Sequence, residues 1–280
     1  MKKLIFIFIF LFQSSIKSNE VPAHAQGLKE TLITVTTQDD KEQRGVLSLK
    51  INTKQPKYLA VLLPGYPSIV LPKMKNDVMY DSKLTGNFLI RSRRHLVDTD
   101  IATFIIDCKP TTTGICSSAY QSSIERHQDV SKLILEVKKN YPSIKEVWLI
   151  GTSMGTVSSA FMPTYDANFY SGAIHTASIT EPFKRGSYGE LGNFNYKKIT
   201  IPQFFIHHKD DPCDKTTYSG AEKISKEFNL PLITVLGGSN FTGPACEAGN
   251  QHGFKGIEKN VMNAIQEIIR SKKITKSEIN

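Results

Sequence analysis

Two short β-branched segments near the start of the chain alternate between apolar and polar residues. They are residues 31–37 (TLITVTT) and residues 45–51 (GVLSLKI), and the polar turn QDDKEQR lies between them. Alternation of this kind is typical of strands with one buried face. Two such segments joined by a polar turn predict an antiparallel hairpin.

After the hairpin, the apolar residues form continuous runs instead of alternating. The runs cover residues 58–64, 101–107, 146–151, 171–177, 202–208 and 231–237. Because strands that are buried on both faces lack alternation, these runs predict a largely parallel sheet.

Helical patterns lie between the apolar runs. The clearest covers residues 122–140, with apolar side chains three and four apart, and it ends at the stop signal Asn140-Tyr141-Pro142. Others are predicted near residues 84–97, 154–163, 216–228 and 255–271. A hairpin followed by alternating strands and helices predicts an α/β fold, with a mostly parallel sheet, an N-terminal antiparallel hairpin and helices on both faces. In such a sheet, active sites form at the carboxyl ends of the strands.

The start of the chain has the pattern of a secretory signal peptide. Two lysines precede an apolar run over residues 4–12, which is too short to span a bilayer as a helix. A polar stretch then reaches Ala23-His24-Ala25, an A-x-A pattern that fits cleavage before Gln26. Cleavage after Ser18 is the alternative, and an uncleaved membrane anchor is the competing interpretation.

We therefore predict a signal peptide over residues 1–25 and one domain over residues 26–280. The chain length of 280 residues suits a single domain of this fold class. The mature protein is expected to be exported, either to a periplasm or to the medium, with no stable membrane span.

The charge of the chain does not indicate a nucleic-acid partner. The formal net charge is +9, and removal of residues 1–25 takes away three lysines and one glutamate and leaves +7. The basic residues are scattered and are not combined with aromatic residues in a binding pattern.

Four cysteines, an even number, are consistent with disulfides in an oxidising compartment. Three pairings are possible. One of them joins Cys108 to Cys116 around a short loop and leaves Cys213 to pair with Cys246. Free buried thiols are the alternative interpretation.

One serine lies between two glycines in the segment Gly151-Thr152-Ser153-Met154-Gly155. A G-x-S-x-G segment also occurs by chance, so its surroundings decide its meaning. Here a predicted strand precedes the segment and a predicted helix follows it. Ser153 would then lie at a helix N-terminus, where backbone N–H groups favour a developing negative charge. We predict that Ser153 is a nucleophile.

A serine nucleophile needs a base, and the base needs an acid to orient it. Among seven histidines, His252 lies in the loop GNQHGF just before the last predicted helix, and it is the predicted base. The alternative is that it only fixes that turn. Asp211, in the loop after an earlier strand, is the predicted acid, with Asp210 as the second choice. The order Ser153, Asp211, His252 is that of the α/β-hydrolase fold.

With these motifs in place, the chain resembles the α/β-hydrolase-fold superfamily, and more narrowly a group of exported bacterial serine hydrolases. The resemblance covers residues 59–258 and is carried, in order, by the segments LLPGY, GNFLIRSRR, IERHQDV, VWLIGTSMGT, HHKDDPC and HGFKGIE.

The resemblance implies an oxyanion hole made by two backbone N–H groups, those of Met154 and Tyr66. Similar sequences often have arginine at the first of these positions and glycine at the second. Both differences keep the backbone donors but are expected to change the shape and charge of the pocket. The resemblance also implies a Cys213–Cys246 disulfide, which would join the acid loop to the loop before His252.

The segment HHKDDPC offers a competing interpretation as a metal site, because His207, His208, Asp211 and Cys213 are all of ligand type. Adjacent residues on a strand point to opposite faces, however, and the cysteine is better placed in a disulfide. No metal and no organic cofactor are predicted.

The expected function is that of an exported serine hydrolase that cleaves an acyl bond in a small molecule. A carboxylic ester is the first choice, and an amide, a thioester or a small polyester are the alternatives. The alternative is a non-catalytic secreted binding protein on the same scaffold. Only about 25 residues, 177–201, are available for a cap, so the site is expected to be fairly open. Residues 82–94, with Asn87, Arg91 and Arg93, are expected near its mouth. An arginine there would favour an anionic substrate, and the alternative is that the arginines lie on the surface or pack against a helix.

Overall fold

The fold is described from a computed structural model that covers residues 21–181 and 189–280. Most of the predicted signal peptide, residues 1–20, and part of the segment available for a cap, residues 182–188, lie outside the described residues. The strands are β1 (Leu28–Thr36), β2 (Glu42–Lys50), β3 (Tyr58–Leu63), β4 (Lys73–Lys75), β5 (Val78–Asp81), β6 (Ile101–Ile106), β7 (Glu146–Ser153), β8 (Gly172–Ser178), β9 (Gln203–His208), β10 (Leu232–Val235) and β11 (Glu278–Ile279).

The helices follow the predicted order along the chain. They are α1 (Phe88–Ser92), α2 (Ser118–Gln121), α3 (Ile124–Asn140), α4 (Thr156–Tyr165), α5 (Gly189–Gly192), α6 (Tyr218–Phe228) and α7 (Glu258–Ser271). No helix among the described residues is both long enough and apolar enough to cross a membrane.

Nine of the described strands form one sheet in the order β1-β2-β6-β3-β7-β8-β9-β10-β11. The first two pairings, β1 with β2 and β2 with β6, are antiparallel, and the other pairings are parallel. The predicted hairpin is confirmed, although its strands begin and end a few residues earlier than the sequence pattern indicates. Strands β4 and β5 form a separate small hairpin.

Helices cover both faces of the sheet, as predicted. On one face α1 and α7 pack against the strands, with Phe88 and Ile265 among the buried side chains. On the other face α3 and α4 contribute Leu133, Val137 and Met162 to a second apolar cluster. The loops at the carboxyl ends of the parallel strands form the candidate site.

The predicted helix over residues 84–97 is much shorter in the structure. Helix α1 begins after Asn87, whose side-chain Oδ1 accepts a hydrogen bond from the Leu89 N–H at 3.1 Å, and a 3₁₀ turn over Arg93–His95 follows it. An N-cap of this kind starts a helix because it satisfies a free backbone donor. The apolar spacing in this segment therefore reflects one short helix and a turn, both packed on the sheet.

Residues 23–25 pack against the domain in a short 3₁₀ turn. Ala25 is completely buried, and the His24 Nε2 lies 3.0 Å from the Met79 carbonyl oxygen. These residues belong to the predicted signal peptide, so their packing bears on where that peptide ends.

Two disulfides are present, Cys108–Cys116 and Cys213–Cys246, with Cα–Cα distances of 5.8 and 4.6 Å. The second joins the loop after β9 to the loop before α7, which is the pairing that the resemblance implies. The first closes the short loop after β6.

A buried ion pair holds the N-terminal hairpin to the rest of the domain. Arg93 Nε donates to Glu30 Oε1 at 2.7 Å and Arg93 Nη2 donates to Glu30 Oε2 at 2.9 Å, and both side chains are fully buried. The same carboxylate accepts from the Ser48 hydroxyl at 2.5 Å and from the Met79 N–H at 2.6 Å. Four donors thus compensate one buried carboxylate. A buried charge of this kind is costly when its partner is removed.

We expect Arg93→Met to lower the free energy of unfolding by about 3–5 kcal/mol, because it leaves the Glu30 carboxylate buried without its cation. The double variant Glu30→Gln/Arg93→Met should show a smaller decrease in the free energy of unfolding, because it leaves no charge buried at this position. Urea unfolding of both variants measures the difference. The matched control is Lys73→Met, which removes an exposed ion pair with Asp81 and should change little. If the single and the double variant lost the same free energy of unfolding, the loss could not be assigned to a buried Glu30 carboxylate without its cation.

Candidate active site

Ser153 lies at the sharp turn between β7 and α4, with a φ of +50°. This left-handed conformation is uncommon for a residue with a side chain, and such strain is often found at functional sites. The turn is possible because its flanking glycines carry no Cβ atom. A Cβ on Gly155 would lie 2.0 Å from the Leu63 carbonyl oxygen, and one on Gly151 would lie 2.4 Å from the Ser159 Oγ.

His252 is held in a short 3₁₀ turn just before α7. Its backbone N–H donates to the Asn250 Oδ1 at 2.9 Å, and the Asn250 Nδ2 donates to the Pro244 carbonyl at 2.6 Å. Asn250 is not among the residues predicted from the sequence, although asparagine is a residue type that caps such turns.

Asp211 lies against the imidazole of His252. The Asp211 Oδ2 is 3.0 Å from the His252 Nδ1, and the aspartate side chain is fully buried. Its other oxygen, Oδ1, accepts from the Cys213 N–H at 2.9 Å. Asp210 is exposed, and its backbone N–H donates to the His208 Nδ1 at 3.0 Å. Of the two candidate acids, the structure brings Asp211 to the histidine.

Thr216 is a further member of this group that the sequence analysis missed. Its hydroxyl donates to the Asp211 Oδ2 at 2.8 Å and lies 3.0 Å from the His252 Nδ1. Since the hydroxyl has one hydrogen, it donates to the carboxylate and offers its lone pairs to the ring N–H. The aspartate and the histidine are therefore oriented by a shared neighbour. A threonine five residues after the acid carries no sequence signal for this role.

Ser153 and His252 line the same open cavity, which has a volume of about 410 Å³. No hydrogen bond joins the two side chains within the described ranges. Catalytic hydrogen bonds are often long before a substrate is bound. The rest of the cavity wall comes from Gly65, Tyr66, Pro67, Lys83, Leu84, Gly86, Asn87, Phe88, Thr152, Cys246, Glu247, Ala248 and Gly253.

Two backbone N–H groups are available beside the serine. Among the described residues, neither the Met154 N–H nor the Tyr66 N–H donates to another group of the protein. The loop that carries Tyr66 comes close to the nucleophile, because a Cβ on Gly65 would lie 3.0 Å from the Ser153 Cβ.

The two side chains that differ from similar sequences have unequal effects on the cavity. The Met154 side chain is buried in an apolar cluster with Val157 and Phe205, so it does not shape the cavity wall. The Tyr66 side chain is 59% exposed and does line the cavity. Of the two differences, the tyrosine is the one that bears on what the site accepts.

The residues of the competing metal site do not converge on one point. The His207 Nε2 accepts from the Ser178 N–H at 2.9 Å, and burial lowers the pKa of His207 to about 4. The His208 Nδ1 accepts from Asp210, so its Nε2 donates to the Gly237 carbonyl at 2.9 Å. Cys213 is in a disulfide and offers no thiolate.

The two arginines predicted near the mouth both pack against the fold. Arg93 forms the buried pair with Glu30. Arg91 forms an ion pair with Glu258 at 3.0 Å and donates to the Gly253 carbonyl at 2.6 Å. Neither guanidinium group faces the cavity as a free cation.

Comparison with known proteins gives matches of structure only. No protein-family model matches the sequence, and no curated protein matches it. A thermostable esterase of known structure is 15% identical with a TM-score of 0.56, covering 86% of this chain and 63% of its own. XC6422 from Xanthomonas campestris, described as an α/β serine hydrolase without a lid, is 13% identical with a TM-score of 0.57, covering 89% and 96%.

A third solved structure, Est1E from Butyrivibrio proteoclasticus, is 12% identical with a TM-score of 0.55 and covers 87% of this chain and 98% of its own. At these identities the similarity is one of fold. Together with the strand order and the helices on both faces, it shows that the chain has the α/β-hydrolase fold.

Proposed function

We propose that the protein is an exported serine hydrolase that cleaves an acyl bond, with carboxylic esters as its substrates. One observation carries the proposal. A serine in a strained turn shares a cavity with a histidine, and that histidine is bonded to a buried aspartate. A serine, a base and an orienting acid in these relative positions are the requirements for acyl transfer.

The reaction would proceed in two stages. In the first, His252 takes the proton from Ser153 as the hydroxyl attacks the carbonyl carbon, and Asp211 stabilises the imidazolium that forms. The N–H groups of Met154 and Tyr66 donate to the oxyanion. His252 then gives the proton to the departing alcohol, and an acyl-serine remains. In the second stage a water attacks the acyl-serine, again with His252 as base, and the acid is released.

The cavity favours small and medium esters. Its wall includes Leu84 and Phe88, which offer apolar contact, and Lys83 and Glu247 near the mouth, so that no single charge dominates. The structural neighbours described as esterases, and the one described as lidless, agree with an open ester site. A volume of about 410 Å³ is within the range of small-molecule sites.

A fluorophosphonate probe should label the wild-type protein and should not label Ser153→Ala, because the probe reacts with an activated serine. In parallel, hydrolysis of a series of p-nitrophenyl esters from acetate to laurate should favour short acyl chains and should vanish in the variant. Ser159→Ala is the matched control, since this serine is buried behind the turn, and it should still be labelled.

Absence of labelling in a folded wild type with both disulfides intact would contradict the proposal. It would favour the alternative of a non-catalytic binding protein on this scaffold.

Asp211→Asn should lower kcat by roughly 10⁴-fold, because an amide favours the wrong tautomer of the histidine. Asp210→Asn is the matched control, and it should leave kcat nearly unchanged because its side chain is exposed. Steady-state kinetics with p-nitrophenyl acetate measures both. A large loss in the Asp210 variant and none in the Asp211 variant would reverse the assignment.

Export is part of the same proposal. It rests on the lysines and apolar run at the start of the sequence and on two disulfides, which persist in oxidising compartments. Cleavage before Gln26 would remove the buried Ala25 and the contact of His24 with Met79. Cleavage after Ser18 keeps both, so the packing favours the earlier position.

We expect the exported protein to begin at Asn19, upstream of the packed turn. Intact mass and N-terminal sequencing of protein expressed with its full leader measure the position. A mature chain that begins at Gln26 and is equally stable would contradict this prediction.

A further inference from the structure

A side-chain N–H donor, the amide of Asn87, lies near Ser153 in the same cavity. A Cβ placed on Gly65 would lie 3.0 Å from the Ser153 Cβ and 3.6 Å from the Asn87 Nδ2, so those two atoms are at most 6.6 Å apart. Asn87 also lines the cavity. Its amide nitrogen is therefore close enough to reach a group attached to the serine.

The orientation of this amide is determined by the helix that follows it. The Asn87 Oδ1 accepts the Leu89 N–H at 3.1 Å as the N-cap of α1. If the amide were flipped, the Asn87 NH₂ group would point its hydrogen at the hydrogen of the Leu89 N–H. The Asn87 oxygen must therefore face the Leu89 N–H. The NH₂ group is then on the side of the cavity, and it has no acceptor among the residues that the structure describes.

The segment that carries Asn87 is held firmly on both sides. The Asn87 N–H donates to the Leu84 carbonyl at 2.8 Å. Arg91, one turn later, donates to the Gly86 carbonyl at 2.5 Å and to the Gly253 carbonyl at 2.6 Å. The same guanidinium thus joins the loop of Asn87 to the loop of the histidine. Such fixing matters, because a donor contributes most to catalysis when it needs no reorganisation.

We propose that Asn87 is a catalytic residue whose Nδ2 amide donates a hydrogen bond to the oxyanion formed on Ser153, as a third donor beside the backbone N–H groups. The inference rests on the proposed acyl-transfer function. It assigns two tasks to one side chain, since the oxygen starts α1 and the nitrogen stabilises the oxyanion. Arg91 acts through it as a positioning residue.

Two substitutions separate these tasks. Asn87→Ser and Asn87→Asp keep a side-chain oxygen that can cap α1, and both remove the amide donor. We expect each to keep the melting temperature of the wild type and to lower kcat for p-nitrophenyl acetate by about 100-fold, with little change in KM. Asn195→Ser, at an N-cap outside the cavity, is the matched control and should keep full activity.

A second measurement tests contact with the oxyanion directly. An aryl trifluoromethyl ketone forms a hemiketal oxyanion with an activated serine, so its inhibition constant should rise in Asn87→Ser by about the same factor as kcat/KM falls. A purely structural cap would leave both quantities unchanged in the folded variants.

These experiments distinguish failure of the role proposed for Asn87 from failure of the proposed hydrolase function. If the fluorophosphonate labels the wild type but not Ser153→Ala, and both Asn87 variants keep wild-type kcat, the role of Asn87 is wrong and the hydrolase function stands. If the folded wild type is not labelled, the hydrolase function fails and the role of Asn87 fails with it.

Discussion

The close contact between the turn at Ser153 and the end of β3 is the constraint on which the site depends. A Cβ on Gly155 would lie 2.0 Å from the Leu63 carbonyl oxygen, which leaves no room for a side chain, and one on Gly65 would make a tight 3.0 Å contact with the Ser153 Cβ. The strained serine and the loop of Tyr66 are therefore placed by direct packing of one backbone on another. The same contact thus positions Ser153 and the backbone N–H groups of Met154 and Tyr66, which are the proposed nucleophile and the proposed oxyanion donors.

The proposed acid and base, Asp211 and His252, are positioned by a separate set of contacts at the other side of the cavity. Asp211 and His252 come from loops after different strands, and each is held by hydrogen bonds within its own loop. Thr216 contacts both, and the Cys213–Cys246 disulfide joins the two loops covalently. Arg91 then connects this side to the loop of Asn87. The two halves of the site are thus supported independently and linked at few points.

The fold could be predicted from the sequence because continuous apolar runs and one long amphipathic helix are strong signals. The parallel sheet, the hairpin and α3 all follow from them. Short elements could not be predicted. Strands β4 and β5 are three and four residues long, and α1 is a single turn and a half that depends on the cap at Asn87. Local patterns are too short to define such elements, and tertiary contacts decide them.

The residues of the candidate site divide in the same way. Ser153, Asp211 and His252 could be named from motif order, because their chemistry restricts the residue type. Thr216 and Asn250 act through hydrogen bonds that several residue types could make, so no sequence motif marks them. The sequence allows Arg93 either to lie at the mouth of the site or to pack against the fold, and only the position of Glu30 on β1 decides between the two.

The disulfide between Cys213 and Cys246 also limits the greatest distance that can separate His252 from the loop of Asp211. Without it, His252 is connected to the acid loop through a chain of about 40 residues, which could extend to more than 100 Å. With it, only the five residues between Cys246 and His252 are free, and their full extension is about 20 Å. The disulfide therefore limits how far His252 can separate from Asp211 even if the hydrogen bonds between these two loops break.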